Sequence, residues 1–363
     1  MFSVFTLPME TNPLLDPATG HEQVEGVLKG FFERAKLRAA KVSPSYLSLW
    51  ETLEQSTAGG KRVRPGILMT AYRHLGGTDI GAAARVGAAF ELLHTALIIH
   101  DDVIDLDFVR RGHDNVSGVY RSLAETAGQT REAARHRGMS TGIIAGDLAL
   151  TGAFRMLDTV DTDPRTRLRL AEILDEAVFA SAAGELIDVD FSFSPGAPPV
   201  REILDMERLK TAVYSFEAPL QAGAVLAGAD DDVVAILGDF GRDTGIAYQL
   251  VDDLLGVFGK ESATGKSNLS DLREGKRTVL ISHASQGPCW GELSHLIGNP
   301  DLTPEDADRA RAVLTRCGAR DYAQSLAEEF AARARTHLDS PAIPAPLRLV
   351  LERIVAGAVN RGR

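Results

Sequence analysis

The stretch Leu97-Ile98-Ile99-His100-Asp101-Asp102-Val103-Ile104-Asp105 sets three carboxylates inside an otherwise apolar run. A second stretch, Tyr248-Gln249-Leu250-Val251-Asp252-Asp253-Leu254-Leu255-Gly256, repeats the pattern roughly 150 residues later. Such runs read as helices facing a core, where aspartates need a partner or a metal. At 3.6 residues per turn, Asp101 and Asp105 fall one turn apart on one helix face. Two unit charges about 4 Å apart repel by about 4 kcal/mol at an effective dielectric of about 20, which disfavours bare clustering. Divalent cations relieve the repulsion. Mg²⁺ is the natural candidate, because it takes oxygen ligands and is commonly held by one or two carboxylates together with substrate phosphates.

From about residue 21 onward, apolar positions recur at three and four, and alternating β-branched runs are scarce. The pattern predicts a nearly all-α chain. Helices are expected over roughly 21–40, 44–57, 65–75, 79–107, 139–159, 165–191, 201–227, 231–258, 276–285, 304–316, 319–338 and 345–359. Two polar or proline-rich breaks, Gly112 to Gly138 and Ser192 to Val200, read as surface connections. The basic segment Arg131 to Arg137 inside the first break reads as a solvated face. Both breaks lie between the acidic helices, so one domain is expected over 21–363. Residues 1–20 read as a mobile lead-in. No repeat of fixed period is present.

A chain of 363 residues, 44% hydrophobic and 25% charged, can bury an ample core. Its net charge of −11 argues against nonspecific nucleic-acid binding and against a polybasic membrane anchor. A polyanionic substrate would then depend on metals and on local basic residues. The N-terminus lacks the pattern of a signal peptide, and no stretch approaches 18 uninterrupted apolar residues. Cys289 and Cys317 lack metal-ligand spacing and read as free thiols of a reducing cytosol, so cytoplasmic residence is expected.

Three further features gain weight from the acidic helices. Gly59-Gly60-Lys61-Arg62-Val63-Arg64-Pro65 places three cations in a flexible loop just before a helix. Glycines let backbone approach an anion, and guanidinium groups grip phosphate oxygens in pairs, so the loop suits a diphosphate. Taken alone it is an ordinary basic turn. Arg110-Arg111-Gly112 is expected to end the first acidic helix, where arginines often only complement the helix dipole. Beside a metal cluster they would balance phosphate charge. His94 stands two turns before Asp101 on the same face, although a lone histidine on an apolar face is usually a core residue. One decoy, Gly259 to Ser267, has five residues between its glycines instead of the four of a nucleotide-binding loop, and follows a helix.

Taken in order, GGKRVRP, HTALIIHDDVID with RRG, LKTAVYSFEAPL, YQLVDDLLGVFG and TGKSNLSDLREGKRT give the chain a close resemblance to the trans-polyprenyl diphosphate synthases. It is most similar to short-chain bacterial geranylgeranyl diphosphate synthases, over roughly residues 25 to 360. The resemblance implies an all-α bundle around a deep central cavity, usually a homodimer. It implies head-to-tail elongation, in which an allylic diphosphate ionises with the help of Mg²⁺ and isopentenyl diphosphate attacks the cation. Three ions are implied. Asp101 and Asp105 would hold two, with Asp102 beside them, and Asp252 a third with Asp253 in support. Lys210, Lys266 and Arg110 would hold the allylic diphosphate. Gly60, Lys61, Arg64, His94 and Arg111 would hold isopentenyl diphosphate, and Thr211 and Gln249 would face the nascent cation. The leaving diphosphate is the implied proton acceptor.

Two departures stand out. Gly256 replaces the third aspartate usual in the second cluster, which implies reduced redundancy in metal binding. His113-Asp-Asn-Val follows RRG where a Pro-Thr pair is common, which implies an altered loop. Ala96 and Leu97, about 6–7.5 Å along the helix from Asp101, mark the expected cavity floor. Ala96 is too small to stop a chain at fifteen carbons, so a twenty-carbon product is expected. A class I terpene cyclase would need no second diphosphate pocket, and a non-catalytic partner subunit usually loses several aspartates or the basic loop.

Overall fold

In a computed structural model, described for residues 20–110, 112–194, 196–259 and 269–360, nearly every element is a helix. The chain runs α1 (His21–Ala39), α2 (Pro44–Thr57), α3 (Val63–His74), α4 (Ile80–Ile104), α5 (Val116–Thr126), α6 (Arg131–Asp158) and α7 (Pro164–Phe193). It continues through α8 (Val200–Glu207), a π-helical segment (Arg208–Glu217), α9 (Ala218–Leu226) and α10 (Asp231–Phe258). The last helices are α11 (Ser270–Glu274), α12 (Val279–Ser285), α13 (Trp290–Leu293), α14 (Pro304–Arg316), α15 (Ala319–His337) and α16 (Ala345–Val359). The expected mobile lead-in, apart from Gly20, lies outside the described residues.

Local signals start these helices where the chain needs them. Ser43, Asp79, Asn115, Thr130 and Asp163 each accept a backbone N–H of the first turn, which satisfies donors that have no partner inside the helix. Thr303 and Asp306 cap α14 reciprocally, with Pro304 at its first position. Burial then selects the faces. One continuous core of side chains runs from Val24 on α1 to Val355 on α16, with Phe32, Phe90, Phe216 and Phe240 enclosed in it. α4, long and apolar enough to cross a membrane, has 78% of its most apolar window buried inside the protein, as a core helix does.

The π-helical segment packs between α7 and α10. Glycines make that fit possible: a Cβ at Gly184 of α7 would strike the Lys210 backbone, and one at Gly241 of α10 would lie 2.8 Å from the Glu217 backbone. π-turns inside helices recur at functional sites. Here one carries Lys210, Thr211, Tyr214 and Ser215.

Several boundaries depart from expectation. The Gly112 to Gly138 break contains α5 and the first turns of α6, because Val116, Tyr120 and Ala124 repeat every four residues and bury one face of a short helix. Arg131 to Arg137 lies on α6 with its charged side chains exposed, a solvated face as expected. The stretch 201–227 divides into α8, the π-helical segment and α9. The first acidic helix stops at Ile104 instead of continuing to Gly112. Leu106 takes a left-handed conformation at φ 61°, and Asp107 N–H returns to the Asp102 carbonyl at 2.8 Å, a bond that closes the helix. Arg110 therefore lies in a two-residue strand, β1 (Val109–Arg110), paired with β2 (His113–Asp114).

Candidate active site

On α4, the partly accessible residues His94, Leu97, Ile98 and Asp101 and the exposed Asp105 recur every three or four positions, so they form one stripe. Leu93, Ala96 and Ile99 are buried on the other faces. The stripe divides the expected floor pair. Leu97 lies on it below Asp101, whereas Ala96, about 140° around the helix from Asp101, is 1% exposed in the core.

The early end of α4 lets Arg110 fold back onto the acids. Its Nε donates to Asp102 Oδ1 at 2.9 Å and its Nη2 to Asp101 Oδ2 at 3.3 Å. Lys210 Nζ reaches Asp101 Oδ1 at 3.2 Å, together with Glu185 at 3.0 Å and Asp188 at 2.6 Å on α7. Burial alone would raise the Asp101 carboxyl, but Lys210 and then Arg110 outweigh it and hold the group below its ordinary pKa. Among the described residues Asp105 has no such clasp, and Lys276 and Lys210 act on it only through space. Although the residue is open to solvent on one side, crowding of its carboxyl by surrounding atoms, and then the Asp101 charge, push it up to about 7.

The basic loop separates its three cations. Gly59 and Gly60 adopt φ of 76° and 84°, and Arg62 follows at 47°, so the backbone turns through left-handed geometry before α3. Arg62 points into the core, where its Nε donates to Glu25 at 2.6 Å and its Nη1 to Glu91 and the Thr57 carbonyl, both at 2.8 Å. It anchors the turn. Arg64 donates to Tyr214 Oη at 3.0 Å and Ser215 Oγ at 2.7 Å, and its guanidinium lies 4.6 Å from the Tyr214 ring centroid. Tyr214 in turn stacks on His94 with centroids 6.0 Å apart. Arg64 and His94 thus converge on Tyr214, while Lys61 is exposed at the loop.

α10 presents the opposing stripe, with Gln249, Asp252, Asp253 and Gly256 on one face. Gln249 Nε2 donates to Asp253 Oδ1 at 2.8 Å. Burial nevertheless drives Asp253 up to about 7, with the neighbouring Asp271 and Asp252 charges acting in the same direction. Behind Asp253 lies Glu207, 3% exposed, whose carboxyl faces that of Asp253 within hydrogen-bonding reach and, among the described residues, meets no N–H donor. Burial and then the Asp253 charge hold it well above the usual carboxylate range. Lys276 joins the two walls. Its Nζ lies 3.5 Å from Asp271, and after burial, which lowers its pKa, the charges of Asp271, Glu274, Asp105 and Asp101 all raise it. Lys276 thus lies within electrostatic reach of Asp271, after α10, and of Asp105 and Asp101 at the end of α4.

Lys210 and Thr211 sit in the π-helical segment, Thr211 half-buried. Arg111 and Lys266, like the decoy loop beyond Gly259, lie outside the described residues. Sequence reasoning gave no role to Glu185, Asp188 and Glu207, nor to Tyr214, Ser215, Asp271 and Lys276, although the last four lie in motifs that carry the resemblance. The signal for two of them was present: Glu185 and Asp188, three apart in a helix, repeat the logic that singled out Asp101 and Asp105.

The chain matches the Polyprenyl synthetase family model over residues 48–314. It is 36% identical over 325 residues to a geranylfarnesyl diphosphate synthase of Aeropyrum pernix, covering 88% of this chain and 96% of that protein. It is 32% identical over 282 residues to a geranylgeranyl diphosphate synthase of Methanosarcina mazei, covering 78% of this chain and 80% of that one. Among solved structures, geranylgeranyl pyrophosphate synthase from Corynebacterium glutamicum, complexed with isoprenyl diphosphate and magnesium, superposes with a TM-score of 0.88 at 28% identity. That match covers 96% of this chain and 100% of the other. The chain therefore belongs to the polyprenyl synthetase family, and its activity is that of a trans-prenyltransferase.

Proposed function

We propose that this prenyltransferase condenses isopentenyl diphosphate head-to-tail with an allylic diphosphate, with magnesium, to give geranylgeranyl diphosphate. The carrying observation is the gathering of cations on the acids: Lys210 and Arg110 pair with Asp101, and Lys276 lies within electrostatic reach of Asp271, Asp105 and Asp101.

The residues suit magnesium. Their donors are carboxylate oxygens, and Asp105 and Asp253 are raised first by burial and then by the charges of neighbouring carboxylates. Among the described residues no three acids, histidines or cysteines already converge as a metal cage. Such a site fits an ion that is completed by substrate phosphates. Asp101 and Asp105 would hold two ions, and Asp252 a third with Asp253 in support. When bound, magnesium stabilises the charge that develops on the departing diphosphate.

The remaining work falls to the chain's own side chains. Lys210 and Arg110, with Lys266, grip the allylic diphosphate. Lys61, Arg64, His94 and Arg111, with the Gly60 backbone, hold isopentenyl diphosphate so that its double bond meets the ionised carbon. Thr211 and Gln249 direct their oxygens at the cation, and the departing diphosphate takes the proton. Leu97, on the accessible stripe, sets the floor in this reading, with Ala96 packed behind it.

A longer, twenty-five-carbon product is the second reading, favoured by the geranylfarnesyl diphosphate synthase among the relatives. On α7, Leu168, Phe179, Leu186 and Phe193 are exposed at spacings of eleven, seven and seven, a stripe that suits the face of a homodimer. Cytoplasmic residence is read from the two free thiols.

Incubation of the purified chain with dimethylallyl, geranyl or farnesyl diphosphate, each with labelled isopentenyl diphosphate and Mg²⁺, tests the assignment. A twenty-carbon diphosphate is expected. A twenty-five-carbon product selects the second reading. Absence of turnover by the chain alone would indicate a partner-dependent subunit, and hydrocarbon released from geranylgeranyl diphosphate alone would indicate a cyclase.

A further inference from the structure

From Val200 to Leu226 the helical backbone does not break: Arg208 and Ala218, at the two joints, keep right-handed helical angles. The segment between them is wound more widely. Ala218 N–H donates to the Val213 carbonyl, five residues back, where an α-helix reaches four. Pro219 supplies a reason, since in an α-turn its ring would strike the Ser215 carbonyl and it has no N–H to offer. One residue more or fewer in the wide turn would rotate Lys210 and Thr211 by about 100° against α9. Backbone packing holds the segment from two sides, through Gly184 of α7 beneath Lys210 and Gly245 of α10, where a Cβ would lie 2.6 Å from Ala212 Cα. One ionic contact adds direction to this packing. Glu217, the buried last residue of the segment, accepts Arg242 Nε at 3.1 Å and Arg242 Nη2 at 2.6 Å. Arg242 stands on α10 beside Gly241, over which the Glu217 backbone passes, and its Nη1 donates to Asp239 at 2.9 Å.

We propose that Arg242 is a positioning residue for the transfer reaction: its two-pronged grip on Glu217 fixes the π-helical segment against α10 and so sets where Lys210 and Thr211 stand. The inference rests on the reading above, in which those two side chains serve the allylic substrate. Lys210 meets Asp101, Glu185 and Asp188 from this segment, and Arg64 meets Tyr214 and Ser215 on it. A slip of one residue would break both sets of contacts at once. A neighbouring pair offers a comparison. Asp243, the next residue on α10 and also buried, receives both prongs of Arg333, at 2.8 and 2.5 Å, with His337 Nε2 3.0 Å away. It is as firmly bonded as Glu217, but it ties α10 to α15 instead of to the π-helical segment.

Amide hydrogen exchange of the full chain, read by mass spectrometry over residues 208–217, tests the grip without turnover. Arg242→Met should speed exchange there by about tenfold or more, and Arg333→Met should leave it within about twofold of the parent. Steady-state kinetics with saturating isopentenyl diphosphate and Mg²⁺ test the consequence. Arg242→Met should lower kcat/KM for the allylic diphosphate by about tenfold to a hundredfold, the scale of a misplaced binding group. Arg333→Met should keep kcat/KM within about twofold, although both variants should melt at a lower temperature than the parent. Because Arg242 and Glu217 act as one unit, adding Glu217→Gln to Arg242→Met should change kcat/KM by no more than about twofold further. Arg242→Lys, which keeps the charge and loses the fork, should fall between parent and Arg242→Met, and carries the same tests should Arg242→Met not fold. Unchanged exchange in Arg242→Met, or faster exchange with undiminished kcat/KM, would overturn the proposal. So would an equal loss of kcat/KM in Arg333→Met, which would make both losses matters of stability. If the parent itself makes no prenyl diphosphate, the functional reading fails, while exchange still judges the grip, and the two failures are told apart.

Discussion

The two acidic walls are built from similar sequence but hold their charge in opposite ways. On α4, Asp101 is clasped by Lys210 and Arg110 and ionises more readily than an ordinary aspartate. On α10, Asp253 is crowded by burial, Asp271 and Asp252, and its carboxyl is pushed up to about 7, with Glu207 above its ordinary range beside it. The α4 wall carries part of its counter-charge as side chains, whereas the α10 wall leaves more of that role to a ligand. In the proposed reading, the α4 side is fixed and the α10 side becomes stable when cations and diphosphate bind.

The sharpest way to break the comparison is to remove one proposed metal ligand from each wall. Asp101→Ala and Asp252→Ala should each lower turnover by at least about a hundredfold, the scale of losing a major electrostatic stabiliser. Initial rates with labelled isopentenyl diphosphate check this, and near-native turnover in either variant would contradict the roles given to that wall.

A second probe concerns the clasp. Lys210→Met strands Asp101, Glu185 and Asp188, whose shared ammonium lies 2.6–3.2 Å from each. Breaking a fully buried pair costs about 3–5 kcal/mol, and partial exposure of these groups reduces the expectation to about 2 kcal/mol in urea unfolding without metal. A variant as stable as the parent would mean that the α4 wall is not held by Lys210.

The α10 wall should reveal itself through pH. A carboxyl whose pKa is raised by folding binds its proton more tightly in the native state, so stability is greatest below the unfolded value and falls as pH rises. For Asp253 the fall runs from the ordinary carboxylate range near about 4 through about 7. The melting temperature of the metal-free chain should therefore decline across this window, less steeply in Asp253→Asn, and Mg²⁺ with diphosphate should restore it near neutrality. A profile that is flat, or that is the same in the variant, would remove the contrast between the walls.

The smallest expected effect separates two neighbours on α4. Leu97→Phe, on the accessible stripe, should shift the product distribution toward shorter chains with little loss of stability. Ala96→Phe should instead overpack the core, at a cost of about 1–3 kcal/mol. Product analysis beside thermal melts distinguishes the two, and a shortened product from Ala96→Phe at full stability would return the floor to Ala96.

Much of the fold was legible because amphipathic period is a local property. The helices of α1, α2, α7 and α10 follow from apolar spacing and from caps such as Ser43 and Asp163. α5 was hidden because its length is short and its flanks are polar, and the end of α4 was hidden because nothing in Leu106 advertises a left-handed conformation. In the candidate site, residues conspicuous by charge and spacing were named from the sequence, while those that act through position were given no role. Tyr214 joins Arg64 to His94 and Arg62 braces the loop only once distant helices meet.

The order of residues along the chain was enough to determine an all-α protein with two acid-bearing helices, a glycine-rich basic loop and the family to which these belong, since each is written in spacing of a few residues. Which cation serves which acid, and why Ala96 and Leu97 part company, were decided in three dimensions. Electrostatic interaction and exclusion depend on distance through space, and Lys276 comes within reach of Asp105 and Asp101 only once the chain has folded.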